Sequence, residues 1–597
     1  MKSIFFFLFK RPALVGGVIA VFLYLQPMIC RLMMMLMMMI KCIKIIIAEM
    51  LKRSVNDSVH WYMSELTARI VAESGIPDDR FHLGKIILQC LKDDPDLVLQ
   101  VDGATDASET SGSLLQRSVR CASSFRAMGL QKGDVMILMA PNHLDLAVPF
   151  YAALYLGISV AAVDRTLGLN ELQSTFSVDQ PKIIFCQSEK APDIQIALNE
   201  LDMNAEIVTF DKGDYLLSFE DFMEKYVDDT TVDDFKAADF DPEDTVAFLI
   251  ATSGTTGLPK AAAVTHKNIA VTAPNLWARF RTFPGPTRLA LLGSPLQWLT
   301  AILTFIVSTI LRYPRLTSSL SLTQEHAYHL INTYKPSFTI FSPTMMTTLM
   351  KPGDRDQCDF TCFDLIMLGG SAVPPDLIDE INVIPDTEVI NVYGMSELGN
   401  IAFHVDNPPP GSCGKPMGCL QYRIIDVETM KDIDEPNVPG ELWLKGPGIF
   451  KEYYNNPEAT EETFAEDRWF KTGDMFYRDE NFNYFFVERI KLLLKYNSYQ
   501  ISPVEVEAVI RQHPGVLDVA VTGIPDPECG DLAVACVVPR PGQEPSAQEI
   551  KDLVKESLSE SKQLHGGVIF MTEIPMTAST KVHRRKLKEM ALVMERE

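Results

Sequence analysis

The sequence predicts an α/β protein: a large N-terminal domain on mostly parallel sheets, followed by a small α+β C-terminal domain. Three observations carry that prediction. Short apolar runs alternate with helical patterns from about residue 113 to 187, as βαβ units do. Later apolar runs of the same length end in glycine-rich turns, where parallel sheets place their ligands. Beyond about residue 490 the texture shifts to capped helices between β-rich runs. The expected division is a hydrophobic lead over 1–55, a large domain over 56–490 and a small domain over 491–597.

In chain order, the first strands are Val135-Met-Ile-Leu-Met139, Ile158-Ser-Val-Ala-Ala-Val163 and Ile183-Ile-Phe185. Thr245-Val-Ala-Phe-Leu-Ile-Ala251 reads as a buried strand and Ala261-Ala-Ala-Val264 as a second strand leaving the loop between them. Thr339-Ile-Phe341 and Leu365-Ile-Met-Leu368 extend the sheet, the latter running into Gly369-Gly370. In the small domain, Ser502-Pro-Val-Glu505 is expected to form a capping box opening a helix through about Arg511. Strands at Val519-Ala-Val521 and Ala533-Val-Ala-Cys-Val-Val538 follow, then a helix opened by Ser546-Ala-Gln-Glu549 and a last apolar run, Val568-Ile-Phe-Met571.

The chemistry concentrates in Thr252-Ser-Gly-Thr-Thr-Gly-Leu-Pro-Lys260. Gly254 and Gly257 let backbone N–H groups approach phosphate oxygens. Thr252, Ser253, Thr255 and Thr256 bring hydroxyls, and Lys260 a point charge. The spacing is not that of a Walker loop, which ends in Gly-Lys-Ser/Thr. The alternative is a polar hairpin turn.

This loop resembles the phosphate-binding signature of the adenylate-forming superfamily, which includes acyl-CoA synthetases, 4-coumarate–CoA ligases and luciferases. Further signatures of that family stand in the same order: Tyr393-Gly-Met-Ser-Glu397, Trp469-Phe-Lys-Thr-Gly-Asp474, Val487-Glu-Arg-Ile-Lys491 running into Lys495-Tyr-Asn-Ser-Tyr-Gln500, and Pro575-Met-Thr-Ala-Ser-Thr-Lys581. The resemblance covers roughly residues 60–590, in texture closest to the luciferase and coumarate-ligase branch. It implies attack of a substrate carboxylate on the α-phosphate of ATP, with Mg2+ present, and a second step that passes the acyl group to coenzyme A. It also implies a small domain that rotates about a hinge at Lys491 between the two steps.

Each signature residue then has an implied role. Glu397 is the candidate metal ligand, because Mg2+ takes one or two carboxylates and keeps its waters. Ser396 contacts phosphate, and the Gly369-Gly370 turn lies along the adenine. Tyr393, followed by Gly394, offers the base a flat face or else packs in the core. Asp474 can accept from both ribose hydroxyls or cap its own loop, with Arg489 beside it. Lys581 serves adenylation by bridging the carboxylate and the α-phosphate. Lys495 serves thioester formation. Trp298 and Leu299, within a stretch over 292–303, face a hydrophobic acyl group or pack in the core. Ala261, Ser498, Met576 and Thr580 stand where relatives carry glycine, glycine, lysine and glycine; none removes a catalytic charge.

The expected reaction is therefore ligation of a hydrophobic carboxylic acid, a medium- or long-chain fatty acid or an arylpropenoate, to coenzyme A. The alternatives are an adenylate-forming enzyme with another acceptor, oxygen included, or a non-catalytic member. A scaffold has no need of Lys260, Glu397, Asp474, Arg489 and Lys581 together. A net charge of −24 disfavours nucleic acid as a partner. Eleven cysteines without a framework point to a reducing, intracellular setting, cytoplasmic or peroxisomal. Residues 12–30 are apolar apart from Gln26, and a methionine-rich stretch follows over 32–40. The lead through residue 47 is either a membrane anchor or an extension before a catalytic body beginning at Met50 or Met63.

Overall fold

A computed structural model describes residues 61–213, 217–226, 230–252, 260–272, 289–351, 353–404, 408–496, 499–526, 530–558, 560–576 and 582–597, with Met39, Ile43 and Val59 as single positions. Its first sheet runs in the spatial order Glu452–Tyr453, Lys260–Thr265, Val246–Thr252, Ser159–Ala162, Val135–Met139, Ile183–Cys186, Glu206–Thr209, Leu217–Ser218. Pairing is parallel from Val246–Thr252 outward and antiparallel at Lys260–Thr265 and Glu452–Tyr453. Val135–Met139 is buried at all five positions, which accounts for its unbroken apolar run.

The second sheet runs Glu388–Val392, Leu365–Gly369, Phe338–Phe341, Ala290–Leu291, Arg315–Thr317, Val98–Asp102, Ser108–Thr110, parallel but for its last pair. A third, antiparallel sheet of Gln421–Ile425, Gly440–Lys445, Phe470–Arg478 and Tyr484–Arg489 was not anticipated from the sequence. Its strands mix charges and aromatics without clean alternation. A bulge between Met475 and Phe476 further breaks the period of two.

Two helices fill the main core. Ala147–Leu156 is buried at every residue, and Leu299–Leu311 is buried from Ala301 onward. Such all-round apolar helices belong inside a large domain. They touch through the Tyr151 hydroxyl, which donates to Phe305 O at 2.8 Å and lies 2.7 Å from Thr309 Oγ1. Helix Leu83–Asp93 reaches them only because residue 84 is glycine: a Cβ there would stand 2.1 Å from Leu154 O. Arg315, fully buried, donates to Tyr151 Oη (3.1 Å), Ser308 Oγ (2.9 Å) and Gln100 Oε1 (2.6 Å).

The C-terminal unit has Val516–Asp526 antiparallel to Gly530–Pro539, with Gly567–Phe570 parallel to the latter and helices Pro503–Ile510 and Ala547–Ser557 packed against the sheet. Both long strands exceed the sequence expectation, because Asp518, Asp526 and Asp531 stand among the added residues and break the apolar runs, although Val516 and Ile524 pack in the core. The capping box at Ser546 forms in full. At Ser502 only half forms: its side chain accepts from Glu505 N, whereas the Glu505 carboxylate turns to Lys562 Nζ at 2.6 Å. That helix ends at Ile510, one residue short of the expectation.

Among the described residues, no helix is long and apolar enough to cross a membrane. The lead over 12–47 lies outside the described residues apart from Met39 and Ile43. Membrane association therefore has no support in the structure.

Candidate active site

The strands Val246–Thr252, Leu365–Gly369 and Glu388–Val392 all end at one cavity of about 1020 Å3, to whose lining the third sheet contributes Glu441, Asp474 and Arg489. This is the carboxyl-end location expected for parallel sheets. Its walls include Thr252, Lys260, Trp298, Leu299, Gly369 and Gly370. Gly394, Ser396, Glu397, Asp474, Arg489 and Lys491 line it as well. Residues more than two hundred positions apart in sequence are thus brought around one space.

Thr252 ends one strand, Lys260 begins the next, and the two stand opposite each other across the antiparallel pair. Ser253, Gly254, Thr255, Thr256 and Gly257 lie outside the described residues, as do Ser498, Thr580, Lys581 and the Lys495 side chain. Met576 and Val582, which flank the segment carrying Lys581, form an antiparallel β-bridge. Lys491 sits in the short 3-10 turn Ile490–Leu492, between the last strand of the third sheet and the first of the C-terminal sheet.

Gly369 and Gly370 are glycines for different reasons. A Cβ at Gly369 would meet Val392 O and Cγ2 at 2.7 Å, while Gly370 has φ +93°, in the region that favours glycine. The turn therefore offers bare backbone to the cavity.

Asp474 and Arg489 face each other across adjacent antiparallel strands, with Arg489 Nε 3.2 Å from Asp474 Oδ1. The Tyr393 hydroxyl donates to Asp474 Oδ2 at 2.7 Å. Asp474 is 2 % exposed, so this carboxylate has donors instead of bulk water. Asp474 is in turn the largest reason that the Arg489 guanidinium holds its proton more tightly than usual. Burial, then the Asp474 charge, push the Tyr393 phenol well above its ordinary range. Tyr393 is more than the flat face read from sequence: its edge orients the carboxylate, and its ring packs against Phe476 and Phe486. Glu441 holds the same turn, accepting from Gly473 N at 3.0 Å and Trp443 Nε1 at 2.8 Å.

Glu397 lies in a 3-10 turn, Ser396–Leu398, closed by Gly399 at φ +60°. It is 7 % exposed, and burial raises its carboxyl pKa above the ordinary value. Its Oε1 accepts from the Tyr453 hydroxyl at 2.7 Å. A carboxylate whose charge is disfavoured by burial, at the wall of a cavity that Lys260, Asp474 and Arg489 also line, fits a divalent cation that keeps most of its waters. Tyr453 was missed in the sequence, where Lys451-Glu-Tyr-Tyr454 carries no signature of its own.

Trp298 precedes helix Leu299–Leu311, and both Trp298 and Leu299 line the cavity. The lining continues past the expected stretch through Thr304 and Val307 to Tyr313, and includes Phe338 and Ile340. These residues are mainly apolar.

Against known proteins, the model of the AMP-binding enzyme family matches residues 89–454, and that of the AMP-binding enzyme C-terminal domain matches residues 505–581. A luciferin 4-monooxygenase of Photuris pensylvanica is 31% identical over 496 residues, 80% of this chain and 88% of its own length. The 4-coumarate-CoA ligase 1 of Narcissus pseudonarcissus is 28% identical over 542 residues, 87% of this chain and 96% of its own. Among solved structures, the anthranilate CoA ligase AuaEII with anthranoyl-AMP superposes with a TM-score of 0.76 at 22% identity, covering 85% of this chain and 97% of that one. That last likeness concerns the fold.

Proposed function

The chain belongs to the AMP-binding, adenylate-forming enzyme family, and from that premise we propose that it is an ATP- and Mg2+-dependent ligase joining a hydrophobic carboxylic acid to coenzyme A. The observation that carries the reading is one cavity lined both by Lys260, Ser396, Glu397, Asp474 and Arg489 and by residues of the apolar helix Leu299–Leu311.

In the first step, a carboxylate oxygen of the acid attacks the α-phosphorus of ATP. The bond to the bridging oxygen breaks, and pyrophosphate leaves an acyl-adenylate. Such a displacement needs alignment and charge neutralisation more than covalent help. Lys260 and the hydroxyls of 252–256 hold the departing phosphates. Asp474, oriented by Tyr393 and Arg489, receives the ribose hydroxyls, and Gly369-Gly370 lets the adenine lie against backbone. Glu397 would hold the magnesium ion, which supplies positive charge to the phosphates. Lys581 steadies the charge on the attacking carboxylate and the α-phosphate.

In the second step, the thiolate of coenzyme A attacks the acyl carbon and AMP departs, with Lys495 serving this arrangement. The change is a rotation of residues 491–597 against 56–490 about Lys491, whose turn joins two sheets and carries few packed side chains. A second reading keeps adenylation and changes the acceptor. The likeness to a luciferin 4-monooxygenase favours it, while Trp298 and Leu299, where many relatives have His and Gly, weigh against luciferin itself.

Mass spectrometry of products formed from ATP, magnesium, coenzyme A and a panel of fatty and cinnamic acids tests the proposal. Acyl-CoA is the expected product. Acyl-adenylate without thioester would replace coenzyme A with another acceptor, and no product from any acid would overturn the reading.

A further inference from the structure

We propose that Tyr453 is a positioning residue that holds the phosphate-loop lysine and the metal-facing carboxylate in one register. The inference rests on the reading of Glu397 as the magnesium ligand.

Tyr453 lies on the two-residue strand Glu452–Tyr453, which pairs antiparallel with Lys260–Thr265 and sets Tyr453 opposite Ala262. The flanking backbone is bonded to both partners. Phe450 N donates to Glu397 O at 2.8 Å, Lys451 N to Ala263 O at 2.9 Å, and Tyr454 N to Ala261 O at 2.8 Å. The side chain repeats this connection. Its hydroxyl donates to Glu397 Oε1 at 2.7 Å, and its ring face carries Lys260 Nζ 5.0 Å from the centroid. Phe450, edge-on at 4.9 Å, fixes the ring plane.

The physical consequence has two parts. A glutamate on a short turn has three rotatable side-chain bonds, and one strong donor on Oε1 removes most of that freedom. With Oε1 engaged, Oε2 is the oxygen presented to a cation. The ring face attracts the ammonium through its quadrupole and so sets the height at which Lys260 enters the cavity. A tyrosine needed only for packing would use its ring and have no need of its hydroxyl.

The test is calorimetric binding of ATP to the full chain, with Mg2+ and with EDTA. Tyr453→Phe keeps the ring and loses the donor. It is expected to weaken ATP binding about tenfold with Mg2+, the size of one charge-assisted hydrogen bond, and to leave binding in EDTA unchanged. Tyr453→Leu is expected to weaken both, because Lys260 loses its support. In the Glu397→Gln background, Tyr453→Phe is expected to add little, since the two act as a unit. The proposal is overturned by Tyr453→Phe binding as the parent does with Mg2+, by equal losses with Mg2+ and EDTA, or by additive losses with Glu397→Gln. A parent protein whose ATP affinity ignores Mg2+ would instead remove the assignment of Glu397.

Discussion

Acid should destabilise the large domain through a pair of buried histidines far from the cavity. His82 and His266 are both fully buried, with ring centroids 5.4 Å apart, and Phe240 packs on both. Burial pushes His82 from its ordinary 6.5 down to about 4, and burial followed by the His82 charge pushes His266 well below 6.5. His82 also has a structural task that requires it neutral. Its Nδ1 accepts from Lys85 N at 3.1 Å, capping helix Leu83–Asp93, while Nε2 lies 3.0 Å from Ala238 O. Between pH 6.5 and about 4 the unfolded chain binds a proton that folded His82 refuses. Stability from this group is therefore complete above 6.5 and is lost as pH falls toward 4. A shift of this size corresponds to about 3 kcal/mol in full.

The assay is urea unfolding followed by fluorescence across that pH window, for the parent and for His82→Asn. Asparagine keeps an acceptor for the Lys85 N–H and does not titrate. The variant should be less stable at neutral pH, through lost packing on Phe240, and its stability should fall less steeply in acid. The parent should lose about 3 kcal/mol more than the variant across the window. Parallel curves would refute the argument, because carboxylates elsewhere contribute equally to both proteins.

Three further outcomes are expected. Gly84→Ala places a methyl 2.1 Å from Leu154 O in a helix buried throughout, and should cost ~3 kcal/mol, read as a lower melting temperature. Gln100→Ala removes the 2.6 Å acceptor of the Arg315 guanidinium and the 2.7 Å donor to Glu109 Oε2, so chemical denaturation should show a loss of ~3 kcal/mol for a buried charge left short of partners. Asp474→Asn takes the negative charge from beside Arg489 and should weaken ATP binding by roughly tenfold or more. If the carboxylate receives the ribose, the penalty for 2′-deoxy-ATP against ATP should shrink in this variant; an unchanged penalty would argue against that contact.

The strands legible in the sequence are those whose side chains are nearly all buried. Val135–Met139 and Leu365–Gly369 appear as apolar runs because both faces are covered. The third sheet escaped notice because Gly440–Lys445 and Phe470–Arg478 set charged and polar residues, the buried Asp474 among them, between apolar ones, so that hydrophobic period says little. The same division holds in the site. Asp474, Arg489, Glu397 and Lys260 stand out as charges within ordered motifs. Tyr453 and Glu441 do not, because their roles come from partners 56 and 32 positions away in the chain.

The sequence by itself determined the family, the fold class and the kinds of chemical group available: glycines where backbone comes close, charges set in ordered motifs, and an apolar stretch over 292–303. These are local properties, set by a residue and its near neighbours. Tertiary structure decided how the groups are used. It turned the Tyr393 hydroxyl onto Asp474, clamped Glu397 through Tyr453, left the Glu505 carboxylate to Lys562 rather than to its own cap, and carried the apolar wall on to Tyr313. Each of those outcomes depends on which strands become neighbours, and hydrogen bonds of that reach have no signal in the spacing of residues along the chain.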